Sequence, residues 1–207
     1  VEDAGVEGEE RKERKDVQKD KCKDKYLVRV HYKHHDAIDK LSNCLKKVPW
    51  DRTVILCIGS DLSTGDSLGP LVGHFLKYRV TMPVYGTLKD TVHATNVSKV
   101  VSTIKEKHNN PFILAVDSSL SEIENIGMIT VREGPIEPGK AVNKDIEPVG
   151  DMSITGVVNA VGFPGRIEYA IISSTPLSRV YAMASVIAES IHESAKKAEY
   201  SQVTRRG

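Results

Sequence analysis

Apolar residues recur along this chain in two rhythms. Unbroken apolar runs fill positions 54–58 and 112–116; they are short and closed by polar or turn-forming residues, the pattern of strands covered on both faces. Elsewhere the spacing is helical. Leu68, Leu71, Val72, Phe75 and Leu76 share one face of a helix whose first turn accommodates Pro70. Ile38, Leu41, Cys44, Leu45 and Val48 predict a helix over 36–47, ended by Pro49, and Val97, Val100, Val101 and Ile104 predict another over 97–107. Val180, Met183, Ala184, Ile187, Ala188 and Ile191 predict a long one over 176–200, with Thr175 as its N-cap. Shorter strands are expected over 26–30, 81–86 and 126–131. Segments 153–161 and 166–173 flank Gly162-Phe-Pro-Gly165 and read as a hairpin. Strands alternating with helices predict an α/β fold, a three-layer α/β/α sandwich with a mixed, mainly parallel sheet.

Residues 1–25 depart from both rhythms. They carry 8 Lys/Arg and 9 Asp/Glu with few apolar residues, the composition of a disordered charged tail. A single domain is expected over 26–200, followed by a polar tail over 201–207. Residues 134–150 form a long loop rich in Gly and Pro, and long irregular loops are often functional. The chain begins at Val1 rather than Met, as expected of an alternative start codon or a trimmed fragment.

Charge narrows the partners. With 29 Lys+Arg against 28 Asp+Glu, nothing favours nucleic acid or an anionic membrane. The three cysteines show no metal or redox spacing, no apolar run spans a bilayer, and no signal-peptide core precedes the domain; a cytoplasmic protein is expected. P-loop, dinucleotide, Ser-elbow and HExxH motifs are absent. His31, His34 and His35 lie close together, but no ligand spacing completes a recognised metal site, and a polar helix start is the simpler expectation.

The candidate chemistry lies where strands end, since ligands of open α/β sheets bind beyond the carboxyl ends of strands. Asp66, in the glycine-bearing loop after residues 54–58, and Asp117, directly after 112–116, are expected to face one crevice. Two close carboxylates repel, so one keeps its proton; the pair can then activate water and protonate a carbonyl or leaving group. The same pair could bind a divalent metal with His93 as a third ligand. Two structural roles compete: Asp66 as a helix cap and Asp117 as a turn former. Gly59, Ser60 and Asp61 would shape the loop wall, His93 and Asn96 line the crevice, and Lys144 contact a bound carboxylate or an aspartate.

Several segments carry a resemblance. Leu56-Cys-Ile-Gly-Ser-Asp-Leu-Ser-Thr-Gly-Asp-Ser-Leu-Gly-Pro70, Val84-Tyr-Gly-Thr-Leu-Lys-Asp-Thr-Val-His-Ala-Thr-Asn96, Ala115-Val-Asp-Ser-Ser-Leu120, Gly134-Pro-Ile-Glu-Pro-Gly139 and Val149-Gly-Asp-Met-Ser-Ile-Thr-Gly156 resemble the YyaC family of sporulation proteins over about residues 50–195. That family is similar to the germination protease of spore formers and, more remotely, to the hydrogenase maturation endopeptidases. The resemblance implies an α/β/α sandwich and a peptidase-like site. Asp66-Ser-Leu-Gly-Pro70 matches the segment around one proposed catalytic aspartate of the germination protease, and Asp117 matches the other. In the hydrogenase proteases the equivalents of Asp66 and Asp117 bind nickel; their third ligand, a later histidine, has no clear counterpart here. The implied function is aspartate-dependent cleavage of a small protein or peptide during sporulation or germination, without a required cofactor. The alternatives are a non-catalytic protein that holds a partner in the same crevice and, more weakly, a metal-dependent maturation-type peptidase. A homo-oligomer is compatible with either main reading.

Overall fold

The computed structural model describes residues 26–137, 147–161 and 168–204. One six-stranded sheet, ordered β1-β5-β6-β4-β2-β3, forms its middle layer. The strands are β1 (Tyr26–His31), β2 (Thr53–Cys57), β3 (Val84–Tyr85), β4 (Phe112–Ser121), β5 (Met128–Glu133) and β6 (Met152–Ala160). β6, β4, β2 and β3 pair in parallel, whereas β5 runs antiparallel between β6 and β1. The helices are α1 (Ala37–Cys44), α2 (Leu68–Leu76), α3 (Val97–Lys107), α4 (Glu168–Ser173) and α5 (Leu177–Val203).

Side-chain alternation on the inner strands builds two cores. Val54, Leu56, Ile113 and Ala115 pack with Val97 and Ile104 of α3. Ile55, Cys57, Leu114 and Val116 pack with Leu68, Val72 and Leu76 of α2 and with Met183 and Ile187 of α5. Successive strand residues point to opposite faces, so an unbroken apolar run feeds both cores. This is the α/β/α sandwich. The expected apolar face of the last helix is fully buried from Val180 to Ile191, and that helix continues to Val203.

Three local expectations are corrected. The hairpin over 153–161 and 166–173 does not form: β6 is followed by the short helix α4. β6 already has β4 on one side and β5 on the other, so no ladder remains for a hairpin partner. Pro176, not Thr175, occupies the N-cap position of α5. Thr175 is buried, its hydroxyl donating to the Ile171 carbonyl and accepting from Asn159 Nδ2. The strand expected over 81–86 is only Val84–Tyr85.

Candidate active site at the carboxyl ends of the strands

β2 leaves the sheet through two backbone bonds. Ile58 N–H donates to the Val116 carbonyl and Gly59 N–H to that of Val92, both at 2.7 Å. Gly59 then adopts φ 141°, and a Cβ there would stand 2.0 Å from the backbone oxygen of Asp66. Only glycine fits such a backbone-on-backbone approach. The loop is held from behind by α4: Gly65 N–H donates to the Ile172 carbonyl at 2.8 Å, and the hydroxyls of Ser63 and Ser173 meet at 3.1 Å. Gly69 closes the return, its Cα packed against Ile58, where an added Cβ would lie 2.0 Å from the carbonyl oxygen.

These contacts deliver Asp66, half-buried, to the crevice. It is not a helix cap; Ser67 occupies the N-cap position of α2. The Ser60 backbone N–H, the Ser118 hydroxyl and His93 lie near enough to its carboxyl to favour the charged form. Burial pushes the Asp66 carboxyl above the ordinary aspartate range, and these three groups pull against that rise.

Asp117 does not end its strand. β4 continues to Ser121, and Asp117 sits one residue past the last pair with β2, Cys57↔Val116, while still paired with Thr155 of β6. Its Oδ1 accepts the backbone N–H of Ser118 at 2.7 Å. Burial, reinforced by the neighbouring charge of Asp66, holds the Asp117 carboxyl well above the ordinary range, against the Ser118 N–H. The two expected carboxyls therefore lie close enough for Asp117 to sense the charge of Asp66. Their asymmetry is clear: Asp66 has more groups that favour its ionised form.

His93 joins them from the loop before α3. Asn96 staples this loop, its Oδ1 accepting His93 N–H at 2.8 Å and its Nδ2 donating to the Thr91 carbonyl at 3.0 Å. The Thr95 hydroxyl meets His93 Nδ1 at 2.8 Å. Asn96 thus spends its side chain on positioning His93. Gly59 and Ser60 form the wall beside Asp66, and Asp61 is exposed at the loop tip. Lys144 lies outside the described residues. Ser118 is the site residue that sequence reasoning passed over; its only signal was its place next to Asp117.

The donor set does not close into a three-ligand metal site. Among the described residues, the trio of His, Cys, Asp or Glu whose ligand atoms lie within 4.8 Å of one another is His34, His35 and Asp36. That trio is exposed or half-exposed at the turn after β1, and Asp36 is already paired with His34 and Lys40. The ligand atoms of Asp66, Asp117 and His93 do not all lie within that distance of one another. A cavity of about 500 Å³, lined by Trp50, Arg52, Lys107, His108 and Glu199 among others, opens at the opposite ends of the strands, away from both aspartates.

A family model described as "Protein of unknown function (DUF1256)" matches residues 29–190, which include both aspartates and His93. The chain belongs to the DUF1256 family. A similar curated protein, "Uncharacterized protein YyaC" of Bacillus subtilis (strain 168), is 44% identical over 172 residues, 79% of this chain and 82% of that protein. Among solved structures, the [NiFe] hydrogenase maturation protease HycI from Thermococcus kodakarensis KOD1 is similar at 23% identity and a TM-score of 0.46, over 70% of this chain and 92% of that one. Among the described residues of this DUF1256 protein, no helix is long and apolar enough to cross a membrane.

Proposed function

We propose that this DUF1256 protein is an endopeptidase that cleaves a small protein in the cytoplasm of a spore-forming cell, with Asp66 and Asp117 as its acid–base pair. The observation that supports this most is the asymmetric pairing of two half-buried carboxyls in one crevice. Asp66, whose charged form Ser60, Ser118 and His93 favour, is the base: its carboxylate takes a proton from water as that water attacks the peptide carbonyl. Asp117 is the acid: it gives its proton to the carbonyl oxygen or, as the C–N bond breaks, to the leaving amine. One water is consumed, a carboxylate and an ammonium are released, and the pair returns to one shared proton. The resemblance of the motif around Asp66 to that of the germination protease points the same way. The proposed step uses the two carboxyls and water alone.

The test is a peptide-library cleavage screen with the wild type, Asp66→Asn and Asp117→Asn. Cleavage by the wild type should fall by roughly 10²–10⁴ in each variant with the fold intact by circular dichroism. Peptides that are captured whole, equally by wild type and variants, would instead mark a non-catalytic binding protein.

A further inference from the structure

β4 outruns its neighbour. β2 stops pairing at Cys57↔Val116, yet β4 continues to Ser121, held on its other side by β6 through Ser121↔Ala160. Backbone groups along a strand alternate in direction. The Val116 carbonyl accepts Ile58 N–H on the β2 side, and the Ser121 carbonyl accepts Val161 N–H on the β6 side. The N–H and C=O of Ser118 and Leu120 therefore face the flank that β2 has left. Among the described residues, Leu120 N–H and both carbonyls have no backbone partner there. Ser118 N–H has one, the Oδ1 of Asp117. A carboxylate thus occupies the place where a neighbouring strand would put its carbonyl.

The chain segments that adjoin this flank in sequence are acidic. Asp61 and Asp66 lie on the facing loop, and Glu122 and Glu124 follow the end of β4; Asp61, Glu122 and Glu124 are exposed. Neither residues 59–66 nor residues 117–125 contain a Lys or Arg, and the Arg29 guanidinium that bonds Asn125 belongs to β1, on the β6 side of β4. Leu62, on the loop after β2, and Ile123, after the end of β4, are exposed apolar residues.

We infer that the flank of β4 from Ser118 to Leu120 takes up an extended polypeptide bearing basic residues, which adds to the sheet as a strand. Strand addition supplies affinity through main-chain bonds to the open groups and leaves side chains to set preference. Its carbonyl replaces Asp117 on Ser118 N–H, so docking frees the Asp117 carboxyl beside a substrate peptide bond. The inference rests on the peptidase reading for its purpose, but its geometry can be tested apart from cleavage.

The test is selection of displayed random short peptides on the full chain carrying Asp66→Asn, followed by hydrogen exchange with a synthetic copy of a selected peptide. Lys or Arg should be enriched. The Leu120 amide should exchange at least about tenfold more slowly when the peptide is bound, the protection expected of a main-chain bond. N-methylation at one peptide position, and the charge-reversing pair Glu122→Lys and Glu124→Lys, should each weaken binding by about tenfold or more. Recovery of no binder, or binding that leaves Leu120 unprotected, overturns the inference. Peptides that protect Leu120 yet are never cleaved by the wild type would leave strand addition standing and remove the peptidase reading. Cleaved peptides that leave Leu120 unprotected would do the reverse.

Discussion

The Cα of Gly59 rests against the backbone carbonyl of Asp66, so close that a single added carbon would lie 2.0 Å from that oxygen. The position of Asp66 is thereby set by main chain rather than by its own rotamer. Gly59→Ala must also hold φ 141°, outside the ordinary range of an L-residue. It should destabilise the fold by about 2–4 kcal/mol, read as a lowered urea midpoint at unchanged slope.

The raised carboxyls make stability depend on pH with a definite sign. The folded state binds protons at Asp117 and Asp66 more tightly than the unfolded chain does. Their contribution is therefore fully present below the unfolded carboxyl range, near pH 4, and is lost as pH rises through the folded values. Asp117→Asn, which cannot ionise, should melt a few degrees above the wild type at neutral pH, and the difference should vanish near pH 4. Melting curves across that range check it.

Asp66 contributes to the elevation of Asp117 through its charge. Asp66→Asn should consequently move the titration of Asp117 downward, while burial keeps it above the ordinary value. Carboxyl carbon shifts followed by NMR against pH read this directly. An unmoved Asp117 titration would show that the two groups are electrostatically independent.

Asn96 holds the His93 loop through two bonds, one accepted from the His93 N–H and one donated to the Thr91 carbonyl. Asn96→Ala removes both and leaves the half-buried His93 N–H without its acceptor, a loss of about 1–3 kcal/mol. Asn96→Asp keeps the acceptor and loses only the donor, so it should cost less. Thermal melts rank the two, and hydrogen exchange at His93 should quicken more in the alanine variant.

Much of this arrangement was legible in the sequence because it rests on short-range pattern. The apolar runs around Ile55 and Leu114 marked the two central strands, and the period through Val180, Met183 and Ile187 marked the long helix. Asp66 and Asp117 followed from the rule that sites gather beyond strand ends. The failures have tertiary causes. Residues 166–173 contain alternation enough for a strand, but β6 has no free side, and Glu168–Ser173 coil into a helix whose Ile172 carbonyl anchors Gly65. Asp117 looked terminal because the apolar run stops at Val116; pairing with β6 carries the strand on through polar residues. Ser118 carried no pattern of its own and gains its role only from the partners that the fold brings to it.

The glycine contacts under the site extend beyond Gly59. A Cβ on Gly69 would strike Ile58, one on Gly73 would strike Gly86, and one on Gly86 would strike Cys57, in each case at a carbonyl oxygen 2.0 Å away or less. Main chain meets main chain at successive points from the loop down along α2. Such a floor has almost no mutational freedom, whereas Leu62 and Ile123 above it project into solvent and can be exchanged cheaply. Selection acting on this protein could therefore retune what the crevice accepts by editing its rim, while the carboxyl pair below stays fixed in place.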